Sequence, residues 1–528
     1  MIEENANQDK VNYFAMTDVR GERTAFGIKP EDRLRHMYII GKTGMGKSTM
    51  LENMAIQDIQ NGEGMCFIDP HGSSAEKLLE FIPQERIKDV LYFAPFDTEH
   101  PIGFNVMEDV GYENRHLVVA GLMSSFKRIW VDTWSSRMEY ILQNVLLALL
   151  EYPDSTLVDI NRMLINKEFR NKVLDRVTDP IVVEFWKVEF AGYTDRYAQE
   201  ATPAIQNKIG QFVANPLVRN IVAQPDSTFN IRELMDNKKI FIVNLSKGRM
   251  GEQNADLVGS MLVTKMYLSA MSRAEESAET LESLSPFYLY VDEFQSVVND
   301  SFTNILSEAR KYKLSLIIAH QYVAQMEDNI RDAVFGNVGT TITFRVGPFD
   351  AQELETLYKP TFFADNIVNL GFAQIYLTLM IDGIGSKPFS ARTIEPVNTP
   401  KVVFTKEIID YSRRKYSKPR AEVEDLVKSM GVTPNRSNKK SKSTKTLNNN
   451  QKPKKSISKH TNTSNPQTKS NKASLELREA IKRVTSSTIT TPTNPKQTNV
   501  KSQEITAGTP AIQEVPKQVL KAVLESEK

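Results

Sequence analysis

The stretch "IIGKTGMGKST", residues 39–49, constrains the fold more than any other part of the chain. Gly41, Gly46, Lys47 and Ser48 complete the pattern G-x-x-x-x-G-K-[ST]. Two isoleucines lead in as the end of a strand, and Met50, Leu51 and Met54 follow with the spacing of a helix that buries one face. Glycines let successive backbone N–H groups curl around phosphate oxygens, and the helix that follows points its positive end at them. The expected cradle is Gly41, Lys42, Thr43, Gly44, Met45, Gly46, Lys47, Ser48 and Thr49, with Lys47 on the β- and γ-phosphates and Ser48 on Mg²⁺. ATP and Mg²⁺ are the expected ligands.

A strand–loop–helix start requires further strands. Near-continuous apolar runs recur at 36–40, 64–69, 90–95, 239–245, 287–293, 314–320, 340–346 and 374–381, with helical patterns between most of them. Such runs suit a parallel sheet covered on both faces, so the expected fold class is α/β, a RecA-like nucleotide-binding fold with a mainly parallel central sheet. No convincing strand falls between Asn105 and about Phe229, which predicts an inserted all-α domain. The expected division is an N-terminal arm (1–30), the α/β body (31–110 and 236–408), the all-α insertion (111–235), a linker helix (409–430) and a basic tail (431–528).

Charge separates the tail from the rest. Residues 431–528 carry 19 Lys and Arg against 6 Asp and Glu, although the whole chain is only +1. The body is therefore acidic. The tail has few large apolar residues and is expected to be disordered, with two short patches, 475–484 and 516–525, able to form partner-binding helices. The single cysteine, Cys66, lies inside an apolar run and excludes an internal disulfide. No apolar run is long enough to cross a bilayer, so a cytoplasmic location is expected.

A second acidic motif narrows the chemistry. In "FYLYVDEFQ" a strand ends on Asp292 and Glu293. Asp292 is expected in the Mg²⁺ shell, and Glu293 as the base that orients and deprotonates the attacking water. This pairing favours hydrolysis over transfer to a small acceptor. Downstream, Phe302, Ile305, Leu306 and Ala309 mark the buried face of a helix, and the next strand ends at Gln321, a candidate sensor of the attacking water and the γ-phosphate. His320 reads as packing. Arg310 is a candidate arginine finger supplied to a neighbouring subunit, and Arg345 a second one. "FIDPHG" (67–72) reads as a strand-end turn near the nucleotide rather than a zinc site, because no second His/Cys cluster accompanies it.

Together these motifs, with "SEARKYKLSLIIAHQY" and "AVFGNVGTTITFRVGPFDAQEL" (333–354), resemble the HerA–FtsK superfamily of ring ATPases, over roughly residues 30 to 400. They are most similar to the conjugative coupling proteins of type IV secretion (TraD/TraG-like). The resemblance implies an ATP-driven hexameric DNA translocase. It places Lys47, Asp292, Glu293 and Gln321 at the nucleotide, favours Arg310 as the trans-acting arginine, and matches the insertion to the all-α domain that faces the DNA entrance. Membrane coupling proteins usually begin with transmembrane helices, and none is expected in this sequence. A separate membrane or secretion-channel partner would then recruit it to the inner face of the membrane. The alternatives are a HerA-type helicase or translocase of DNA repair, and a nucleotide-switched scaffold that does not translocate.

Overall fold

The computed structural model describes residues 10–18, 23–298 and 301–430. The candidate helices at 475–484 and 516–525, and the predicted disorder of the tail, lie outside the described residues.

Thirteen strands occur in the described residues. They are β1 (Asn12–Thr17), β2 (Ala25–Ile28), β3 (Met37–Ile40), β4 (Gly64–Asp69), β5 (Val90–Phe93), β6 (Ile240–Asn244), β7 (Phe287–Val291), β8 (Leu314–His320), β9 (Thr340–Thr343), β10 (Gln374–Thr378), β11 (Met380–Ile381), β12 (Ile384–Gly385) and β13 (Phe389–Thr393). Eleven form one sheet in the order β2-β1-β13-β10-β9-β3-β8-β7-β4-β6-β5, and β11 and β12 make a small hairpin. From β9 to β5 every pairing is parallel. The side from β10 outward is antiparallel. The sheet is thus mainly parallel, as expected, with an antiparallel flank to which residues 12–17 and 25–28 contribute two strands.

Alternation along the strands feeds two apolar layers. In β3, Met37 and Ile39 join the core that contains Met50, Leu51 and Met54 of the helix Lys47–Gln60, while Tyr38 and Ile40 face the other core. Both faces are covered, which is why the strands read as unbroken apolar runs. Between β5 and β6 the described elements are all helical, from Arg115–Ile129 to Ile231–Asp236. Their apolar residues, Phe126, Leu142 and Ile209 among them, are continuous with the sheet face through Phe104, Phe229 and Phe241. Residues 405–429 form two helices, Thr405–Tyr416 and Arg420–Ser429, separated at Pro419, where a ring that fixes φ and lacks an N–H breaks a helix.

No described helix is long and apolar enough to cross a membrane.

Candidate functional site

The strand order builds the site. β3, β8, β7 and β4 are consecutive neighbours, and all four run parallel. Their carboxyl ends therefore open onto one edge, where ligands of open α/β sheets bind. The phosphate loop follows β3, Gln321 follows β8, Asp292-Glu293 follows β7 and His71 lies just beyond β4.

The loop is held open by its glycines. A Cβ on Gly41 would lie 2.5 Å from Cβ of Phe344, so only glycine lets β3 pass this close to the neighbouring chain. Gly46 takes φ +112° as it turns into the helix Lys47–Gln60. Gly41 N–H donates to the His320 carbonyl at 3.2 Å and Lys42 N–H to the Arg345 carbonyl at 2.9 Å. The loop is thus pinned to both flanking strands. Lys47 is buried, and its Nζ donates to the carbonyls of Gly41 at 2.6 Å and Lys42 at 3.2 Å. Burial holds its pKa below the ordinary lysine value, against the opposing charges of Asp292 and Glu293. A cation that is half-satisfied by carbonyls gains most from an anion.

Across the loop, Ser48 Oγ donates to Asp292 Oδ2 at 2.8 Å, joining residues 244 positions apart in sequence. Asp292 is buried, and burial raises its pKa while the Ser48 hydrogen bond opposes the rise. A hydroxyl and a carboxylate converging at this distance fit a hard divalent cation whose other ligands are phosphate oxygens and water. Glu293 adopts the left-handed conformation, φ +47°. A non-glycine residue there carries backbone strain of the kind that collects at functional sites.

A row of hydrogen bonds follows the strand order. Thr43 Oγ1 donates to Gln321 Oε1 at 3.0 Å, Gln321 Nε2 donates to Glu293 Oε1, and His71 Nε2 lies 2.9 Å from Glu293 Oε2. The row ties the phosphate loop to the base candidate and then to the "DPHG" turn. Asp69, buried at the end of β4, shapes that turn by accepting from His71 N–H at 2.8 Å and Ala75 N–H at 2.9 Å. Burial would lower the His71 pKa, but the hydrogen bond and charge of Glu293 outweigh it and the pKa is raised. The contact between His71 and Glu293 was not legible in the sequence, because nothing there states that β4 neighbours β7.

Lys47, Ser48, Asp292, Glu293, Gln321 and Thr43 are therefore brought together. Arg345 joins the same edge through its backbone. Arg310 does not. It lies in the turn Ala309–Tyr312 before β8, at the other end of the sheet, exposed and beside a cleft it shares with Arg35 and Lys313. The seven residues of β8, at about 3.3 Å each, set it about 20 Å from Gln321. His320 is buried, with Nδ1 3.2 Å from the Tyr38 hydroxyl, and burial lowers its pKa to about 3. Among the described residues no group of three or more His, Cys, Asp or Glu side chains is arranged to hold a metal ion.

The fold recurs in solved structures. The unbound bacterial conjugative coupling protein TrwBΔN70 is 14% identical with a TM-score of 0.53, covering 76% of this chain and 94% of that one. TrwB in complex with ADPNP is 16% identical with a TM-score of 0.52, covering 71% and 89%. VirB4 of Thermoanaerobacter pseudethanolicus is 13% identical with a TM-score of 0.52, covering 73% and 96%. No curated protein matches the sequence. The family model of the type IV secretion-system coupling protein DNA-binding domain matches residues 24–356, more than half of the chain, and the chain belongs to that family.

Proposed function

We propose that this chain hydrolyses ATP to move DNA, and that it works as a homo-hexamer in which each nucleotide site is completed by a neighbour. The observation that carries the reading is the convergence of the phosphate loop, the Ser48–Asp292 pair and the Thr43–Gln321–Glu293 row on one edge. Solved complexes of TrwB with ADP and Mg²⁺ and with ADPNP support ATP and Mg²⁺ as the ligands.

Each residue has a chemical task on this reading. Backbone N–H groups of the loop bind the phosphates, and Lys47 leaves its carbonyl partners for the β- and γ-oxygens. Ser48 and Asp292 would hold Mg²⁺, which when bound neutralises charge on the β- and γ-phosphates. Glu293 orients a water in line with the γ-phosphate and takes its proton. Gln321 spans loop and base, so a change at Thr43 is felt at the Glu293 carboxylate. Arg310, remote from its own site, is offered to the γ-phosphate of the adjacent subunit. The helical segment 111–235 faces the DNA, and the setting is the cytoplasm, with a separate membrane partner where transfer across an envelope is involved.

The test is ATP turnover by the full chain with no DNA, with single strands and with duplex. A motor is expected to turn over faster with at least one form of DNA. Equal rates in all three would remove translocation and leave a nucleotide-switched scaffold.

A further inference from the structure

β6 borders β4 on the side away from β7, and the sequence that leaves it, "NLSKGRMG" (244–251), enters a tight turn. Ser246 is buried with φ +32°, a left-handed conformation that is uncommon for any residue but glycine. The short helix Lys247–Met250 starts there. The turn is fastened to the "DPHG" segment. Leu245 N–H donates to the Asp69 carbonyl at 3.0 Å, and Lys247 N–H to the Pro70 carbonyl at 2.8 Å. The backbone of Lys247 thus grips the residue just before His71.

The side chain of Lys247 reaches toward the chain that follows β7. Its Nζ donates to Ser296 Oγ at 2.9 Å. Ser296 is buried at the end of the 3₁₀ turn Phe294–Ser296, and its N–H donates back to the Glu293 carbonyl at 2.8 Å. An ammonium has three donors. The others face acids of the helix Glu252–Met271, with Nζ 3.0 Å from Asp256 Oδ1 and 3.4 Å from Glu252 Oε1. Burial raises the Asp256 pKa, while Lys247 opposes the rise.

That helix is a firm anchor. A Cβ on Gly259 would lie 2.4 Å from Val297 Cγ1, so only glycine lets the helix pass this close to the segment after Glu293. One residue further on, the hydroxyls of Ser260 and Ser125 are 2.8 Å apart, which ties the same helix to the helix Arg115–Ile129.

We infer that Lys247 is a positioning residue for Glu293. Its ammonium fixes the Phe294–Ser296 turn against the helix Glu252–Met271, and its backbone fixes the turn that carries His71. Both sides of the Glu293–His71 contact are therefore held by one residue. A non-glycine residue in the left-handed conformation, as Glu293 is, persists only where its surroundings over-determine it. Lys247 acts through Ser296 and the backbone. The inference rests on the reading of Glu293 as the base and adds what aims it.

ATP turnover by the full chain without DNA, with ATP affinity measured separately by nucleotide titration, tests it. Lys247→Met should lower kcat about 10²-fold, the cost of a base displaced by about 1 Å, and leave ATP affinity unchanged. Lys247→Arg, which keeps a cation, should retain more turnover than Lys247→Met. Ser296→Ala removes only the hydroxyl and keeps the Lys247–Asp256 pair, and it should lower kcat too. Combined with Lys247→Met it should cost little more, because groups that act as a unit are not additive. A role in folding alone would move the unfolding midpoint and leave kcat of the folded variants unchanged. If Lys247→Met does not fold, Ser296→Ala decides. Normal kcat in either variant, an ATP affinity that falls with kcat, or losses that multiply in the double variant would overturn the inference. Glu293→Gln measured alongside separates the two readings. If it loses turnover while Lys247→Met does not, the positioning role alone fails. If Glu293→Gln turns over normally, the base assignment fails and the positioning role with it.

Discussion

The two ends of the parallel strands are built on opposite plans. At the carboxyl ends, side chains from four neighbouring strands reach one another: Ser48 meets Asp292, and Thr43, Gln321, Glu293 and His71 form a row. At the amino ends the strongest contacts serve the fold. Arg33, fully buried, forms a salt bridge to Asp58 at 2.6 Å and lies 3.7 Å from the centre of the Tyr288 ring. Burial alone would lower its pKa, but Asp58 outweighs that and holds it charged. At the same end Arg310 stands exposed on a cleft lined also by Glu31, Asp32 and Asp382, and forms no ion pair among the described residues. One end gathers phosphate-loop, acid and amide side chains, whereas the other shows an exposed cation that forms no ion pair among the described residues. On the proposed reading the exposed cation of one copy would complete the nucleotide end of the next.

Substitutions can break this contrast. Arg310→Ala should cost about 10³-fold or more in ATP turnover while leaving ATP affinity of the isolated chain intact. Steady-state turnover and nucleotide titration read the two quantities separately. Glu293→Gln should bind ATP and lose about 10²- to 10⁴-fold in turnover, because the amide cannot accept the proton. Asp58→Asn tests the structural reading of the amino end. It leaves Arg33 buried with a weakened partner and should destabilise the chain by about 3–5 kcal/mol in denaturant unfolding.

The smallest effect concerns His71. Its raised pKa means that the charged contact with Glu293 is fully present below pH 6.5 and is lost as pH rises through the higher value in the folded chain. An NMR titration should find the His71 midpoint above 6.5, and Glu293→Gln should return it toward 6.5.

Much of the contrast was legible in the sequence. Each of the eight apolar runs contains a strand. Most are buried along their length, as residues between two covered faces must be, whereas Gln374–Thr378 alternates buried with half-buried positions. The run at 340–346 extends past the strand Thr340–Thr343, since Phe344 and Val346 are buried in the segment that crosses to the phosphate loop. β1, β2 and β13 were not read. Their burial is mixed and partial, and Thr17, Gly27, Ser390 and Arg392 dilute the apolar signal. Lys47, Asp292 and Glu293 could be singled out because their motifs carry a mechanism. The place of His71 beside Glu293 could not be, because it follows from strand order, a property of long-range pairing that leaves no local mark. That of Arg310 is local, since the strand at 314–320 separates it from Gln321.

The contrast meets its most direct test in a mixture of two inactive chains. Arg310→Ala keeps a complete carboxyl end, and Glu293→Gln keeps a complete amino end. Each alone should turn over ATP at a small fraction of the unaltered rate. Mixed under conditions of subunit exchange, an Arg310→Ala site beside a Glu293→Gln neighbour has every group it needs, so a substantial share of the activity should return. A mixture no more active than its parts, or an Arg310→Ala chain with normal turnover on its own, would contradict the account.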